Sequence, residues 1–114
     1  MNKKEKRNYI SQKIDLNNTR LTNEEVDTLY NIVENYDQEY KGKSCTSTYK
    51  STGTSSDGKY EREATNTFTF TDNGNQLGIR WDHSYHDDDG QSGSSSETRY
   101  DGRGILNFLK HFKK

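Results

Sequence analysis

The chain has 114 residues, the size of one domain, and its 17 Lys and Arg so nearly balance its 18 Asp and Glu that a net charge of -1 names no partner. One cysteine, Cys45, excludes an internal disulfide or a cysteine-built metal site. No apolar run approaches the ~18 residues of a membrane span, and no signal-type apolar stretch follows the basic start, so a soluble, cytoplasmic domain is expected.

The core has to be thin. Only 25% of the residues are hydrophobic, and Leu, Ile, Val and Phe together number 17 of 114, about 15% and below the roughly 20% under which disorder becomes common. Eight Tyr, four Phe and one Trp offset this, because each ring buries a large area. Residues 1–20 read as a basic arm of net charge +4, flexible over the first seven positions. Ile10 and Ile14 lie one helical turn apart, which suits a short helix or a docked extended arm. A folded domain is expected from residue 21 to residue 114.

Thr22 and Glu25 form a capping box, and Leu21 and Val26 the matching hydrophobic staple. Val26, Leu29, Val33, Tyr36 and Tyr40 follow as one apolar stripe, and Gly42 supplies a left-handed stop, which predicts a helix over 22–41. If the sheet leaves this stripe uncovered, its coiled-coil spacing predicts a homodimer. Cys45 to Lys50 alternate as a strand, and 52–58 read as a loop. From Lys59 to Thr71, Ala64, Phe68 and Phe70 oppose Thr65, Thr67, Thr69 and Thr71. Asp72-Asn73-Gly74-Asn75 predicts a tight hairpin, and the return strand places Leu77, Ile79, Trp81, His83 and Tyr85 on one face. Residues 86–97 hold no apolar side chain and read as a long loop before a short strand at 97–100. Asp101 caps a last helix carrying Ile105, Phe108, Leu109 and Phe112, with Lys110, Lys113 and Lys114 at its negative end.

The fold class is α+β: an N-terminal helix, a three- to four-stranded antiparallel meander and a C-terminal helix. Trp81, Phe68, Phe70, Ile79 and Leu77 should pack against Val26, Leu29, Val33 and Phe108.

Charge is segregated along the chain. Residues 21–40 carry net -6 and residues 72–101 net -5, between basic ends. Asp82, Asp87, Asp88, Asp89 and Glu97, with Glu24, Asp27 and Glu34 of the helix, are therefore the candidate contacts to a basic partner protein. Asp87, Asp88 and Asp89 stand adjacent, with no Lys or Arg between Arg80 and Arg99 to compensate them. Two other readings stay open. The basic termini can fold across the acidic surfaces, or they can bind nucleic acid directly as a regulator would, although they lack aromatics interleaved with the basic residues for stacking beyond Tyr9 and Phe112.

Catalytic and cofactor patterns are sparse. The Asp87-Asp88-Asp89-Gly90 loop fails as a calcium loop, since position 1 falls on Tyr85 and position 12 on Ser96. His83 and His86 fall on opposite strand faces, and Asp82 and His86, on one face, are ~13 Å apart, too far for one ion. His83 is expected as a hydrogen-bonded core residue. No nucleophile triad, paired carboxylate or phosphate-binding glycine loop occurs, so no catalytic residue, metal or cofactor is assigned. A metal-assisted nuclease would need Asp82, His86 and Asp88 to meet around a folded loop. The threonine face, which the helices leave bare, is a further docking candidate.

A compact chain that opens MNKKEKRNYI, is rich in Asn, Lys and Tyr and carries acidic blocks resembles the small accessory proteins of phages and mobile elements from low-GC Gram-positive bacteria. Among these it is similar to the anti-CRISPR proteins that inhibit Cas9. The resemblance is one of size, composition and acidic surface, without a shared motif. It implies a non-catalytic inhibitor that occupies a basic groove of a host protein, such as Cas9 or its guide-RNA complex.

Overall fold

Four antiparallel strands in the order β1-β2-β3-β4 form a simple meander, and helices from both ends of the chain cover one end of one face. The computed structural model describes residues 2–17 and 19–112. The strands are β1 (Ser44–Ser55), β2 (Gly58–Asp72), β3 (Leu77–Asp87) and β4 (Ser92–Arg99). Gly74 takes a φ of 93° in the β2–β3 turn, where Asp72 and Asn73 side chains accept the N–H groups of Gly74 and Gln76. This turn pairs Phe70 with Ile79 and Phe68 with Trp81, so the expected alternation holds.

The helices are α1 (Lys3–Ser11), α2 (Asn23–Glu34) and α3 (Gly102–Leu109), with a π-helical turn at Tyr36–Tyr40 and a 3-10 turn at Lys110–Phe112. Thr22 and Glu25 cap α2 reciprocally, as read from the sequence. Asp101 caps α3 by accepting the Gly104 N–H. The core joins Ile10, Ile14, Val26, Leu29, Ile32, Phe68, Phe70, Ile79 and Ile105, with Val33, Trp81 and Phe108 half-buried against it. Backbone bonds tie in the segment after α1: Leu77 donates to the Lys13 carbonyl, Asp15 to that of Tyr100, and Gly102 to that of Asp15.

Several expectations are corrected. Residues 3–7 are helical, not flexible, because Asn2 and Glu5 form a capping box, and Ile10 and Ile14 are fully buried. The expected 22–41 helix ends at Glu34, and Ile32 takes the buried place expected for Val33. The stripe lies in the core, so the premise of a dimer through it is not met. Residues 52–55 extend β1, and most of 86–97 is strand: β3 runs to Asp87 and β4 starts at Ser92. Backbone pairing to β3 holds β4 although its side chains bury little. Lys113 and Lys114 lie outside the described residues.

The longer strands change the shape. The molecule measures 59 × 26 × 24 Å, with a radius of gyration of 17.6 Å. A compact chain of this length would have about 13 Å. The hydrophobic core stops at Cys45, Phe68 and Trp81. Beyond it, segments 47–66 and 82–97 run on as a four-stranded blade, about 27 Å along β2.

Candidate partner-binding surface

The blade needs its own means of staying ordered, since no core lies beneath it. Strand register brings Tyr49, Ala64 and Tyr85 side by side on the face continuous with the core, with Arg62, Tyr60 and Asp87 further out. The Arg62 guanidinium lies 4.1 Å from the Tyr85 ring centroid and 5.5 Å from that of Tyr60. It donates to both Asp87 carboxylate oxygens, at 2.8 and 3.1 Å. Asp87 is only 5% exposed. Hydrogen bonding from Arg62 holds its carboxyl below the usual range despite burial, and the same bond raises Arg62.

One strand-pair nearer the core, the Asn66 side-chain oxygen accepts from Trp81 Nε1 and contacts His83 Nδ1, both at 2.9 Å. Indole N–H only donates, which orients the Asn66 amide with its oxygen inward. A carbonyl oxygen only accepts, so His83 Nδ1 carries the proton and Nε2 is left for other contacts. Trp81 stacks on Phe68 with ring planes 4° apart. Tyr85 lies against Gly93 and Tyr60 against Gly53, where a Cβ would meet the ring at 2.6 and 2.4 Å. The result is a continuous aromatic strip of half-buried rings, with Tyr49 49% exposed beside it.

The candidate carboxylates fall in two places. Asp82, Asp87, Asp88, Asp89 and Glu97 lie on β3, β4 and their connecting turn; Glu24, Asp27 and Glu34 ride on α2. The view that Asp87 lacks a nearby base is corrected, because β2 returns Arg62 beside it. Asp88 accepts the Glu61 N–H and Asp89 the Gln91 N–H, which leaves both carboxylates exposed. Asp82 pairs with Arg80 at 3.0 Å, and Glu97 lies 3.7 Å from Arg99. On α2 the basic segments do fold across the acids: Lys6 reaches Asp27 at 2.7 Å, and Arg103 donates to Glu25 at 2.6 Å. The Arg103 bond holds Glu25 below its usual range. Glu34 accepts from the Tyr9 hydroxyl, while the Glu24 side chain is exposed.

His83 is hydrogen-bonded, as expected, though half-buried. His86 faces Glu63 at 3.9 Å, and among the described residues no group of three His, Cys, Asp or Glu is placed to hold a metal ion. On the opposite face the threonines pair across strands, Thr46 with Thr67 at 3.1 Å and Thr48 with Thr65 at 3.3 Å. Among the described residues, no helix is long and apolar enough to cross a membrane. Sequence reasoning missed Tyr49, Tyr60, Arg62 and Asn66. The period-two spacing of Tyr60, Arg62 and Asn66 with Ala64 is the available signal, and Tyr49 joins them only through the β1–β2 register.

No family model matches the chain, and no curated protein or solved structure gives a significant match.

Proposed function

We propose that the chain is a non-catalytic inhibitor whose acidic blade enters a basic, nucleic-acid-handling groove of a host protein, Cas9 being the target that the family resemblance implies. The blade itself carries the reading. Segments 47–66 and 82–97 hold eight acidic and three basic residues, net -5, while the rest of the chain is net positive. Its aromatic face combines Tyr49, Tyr60, Tyr85, Trp81, Arg62 and Asn66 with Ser and Gly positions, the composition of protein-binding surfaces. Cas9 holds its guide–target duplex in a positively charged channel, which is complementary to such a blade.

The test is binding of the full chain to purified Cas9, with and without guide RNA, followed by time-resolved interferometry. Tyr49→Ser should speed dissociation, because an exposed ring at the centre of a contact is anchoring area. A paired Asp88→Asn and Asp89→Asn variant should slow association, and added salt should erase the difference. Asp87 is left intact because it holds Arg62. Absence of binding would remove Cas9 as the target. Binding that neither variant alters would move the interface off the aromatic and acidic side of the blade, to the threonine face.

A further inference from the structure

A second region, away from the blade, has the features of a small-molecule site. A cleft of about 290 Å³ opens where the ends of α1 and α2, the π-helical turn and the β2–β3 hairpin meet. That volume is near the lower bound for ligand clefts, about 300 Å³. Tyr36 forms part of its wall. The residue is 6% exposed, and its buried hydroxyl has no hydrogen-bond partner among the described residues. Native proteins rarely leave such a group unpaired, and π-helical turns are themselves rare and concentrated at functional sites. Burial, and then the nearby charge of Asp72, push the Tyr36 pKa up to about 12, so the hydroxyl stays a donor. Asp72 acts on the hydroxyl through its charge and as a loose acceptor, which adds to the rise, although the contact falls short of full hydrogen-bond geometry.

The charges around the cleft are also unmatched. Lys13, Lys41, Asp37 and Asp72 all line it, yet among the described residues none of them forms an ion pair. Asp72 accepts the Gly74 N–H, at 3.1 Å. Elsewhere the chain does pair such groups, as in Lys6–Asp27 and Arg103–Glu25. Neither α1 nor α2 carries a basic residue in its last turn, so their carbonyl ends add partial negative charge on this side. Two solvent-exposed ammonium groups and two solvent-exposed carboxylates on one cleft match a ligand that bears both charges.

We propose that this cleft binds a small zwitterion of the free amino-acid class. Its ammonium group would lie toward Asp37, Asp72 and the helix ends, its carboxylate toward Lys13 and Lys41, and its side chain against Val33 and Leu77. Binding would give these solvated charges direct partners, and it does not depend on the blade having a partner.

The experiment uses the full chain labelled with nitrogen-15. Each standard L-amino acid is titrated separately while the amides of 36–41 and 72–77 are followed. At least one should give saturable shifts with a Kd of about 1 mM or tighter. The N-acetyl and the carboxamide forms of that amino acid, each lacking one charge, should bind at least about tenfold more weakly to the unaltered chain. Lys41→Gln and Asp72→Asn should reproduce those losses without moving the melting temperature. No saturable binding by any amino acid overturns the proposal. Equal binding of the singly charged derivatives overturns it, and so does inorganic phosphate binding more tightly than any amino acid, which would mark an anion site.

Discussion

Phe68 is the residue on which the helical layer and the sheet lock together, and truncating it tests the register directly. It is 3% exposed. Its ring stacks on His111 at 4.2 Å and on Trp81 at 6.0 Å, and it meets Phe108 at 5.3 Å. Phe→Ala in a core costs about 3–5 kcal/mol, a range that already contains most of the ring–ring contribution. We expect Phe68→Ala to cost about 4 kcal/mol, against a total of about 5–15 kcal/mol for a domain. The melting temperature should then fall by about 15 °C, at about 4 °C per kcal/mol. The neighbouring Thr67 points to the opposite face, where it pairs with the Thr46 hydroxyl at 3.1 Å. Thr67→Ala should cost no more than about 0.5 kcal/mol. Urea unfolding followed by far-ultraviolet circular dichroism measures both, and avoids the Trp81 fluorescence that Phe68→Ala itself perturbs. If Thr67→Ala costs as much as Phe68→Ala, the strand is slipped by one residue and every assignment on the blade reverses.

Acid should destabilise the fold in a definite window. Glu25, Asp87 and Asp101 are held below their unfolded values by Arg103, Arg62 and Arg99, so their contribution is present above about pH 4 and lost as pH falls through the folded values. Urea midpoints should drop across that window, and Arg62→Gln should flatten the drop; an unchanged slope would mean that Asp87 is not held by this pair. At Gly78 an added Cβ would lie 2.5 Å from the Arg99 carbonyl oxygen, which cannot swing away. Gly78→Ala should therefore cost roughly 2 kcal/mol or more. Gly93→Ala meets only the outer edge of the Tyr85 ring and should cost less; the reverse order in a thermal melt would contradict the β3–β4 pairing. Tyr36→Phe removes an unpaired buried hydroxyl, so it should leave the empty protein as stable, or up to about 1 kcal/mol more stable. A clear loss in urea unfolding would show that the hydroxyl has a partner in the native state.

Local chemistry made some elements legible and tertiary pairing hid others. The Thr22–Glu25 box, the Asn73-Gly74 turn and the alternation from Leu77 to Tyr85 each depend on residues close in sequence. The Asn2–Glu5 box is of the same kind and open to the same reading, but its place at the chain terminus, with few apolar residues around it, favours a flexible arm. Segment 92–99 carries no apolar side chain, so its strand character comes from backbone bonds to β3 and leaves no mark in its own composition. The burial of Asp87 was hidden for a related reason. Its partner Arg62 is 25 residues away and comes opposite it only because β3 runs on to Asp87, in a stretch whose composition reads as loop. The π-helical turn that carries Tyr36 follows a helical stripe without a break in pattern, and nothing local distinguishes it.

The order within the blade bears on how it would bind. Arg62 is fixed by Asp87, Tyr85 and Tyr60, and Trp81 and His83 are fixed by Asn66. These side chains are arranged before any partner arrives, so little rotamer freedom remains to be lost on contact. The exposed acids Asp88 and Asp89 are anchored only through backbone N–H groups and keep their charge in solvent. Under the proposed function the blade would separate two tasks by position. Solvated carboxylates at its tip would act at long range and govern encounter, whereas the pre-set rings behind them would act only in contact and govern residence. That division is why substitutions at Tyr49 and at Asp88 and Asp89 should separate into dissociation and association effects.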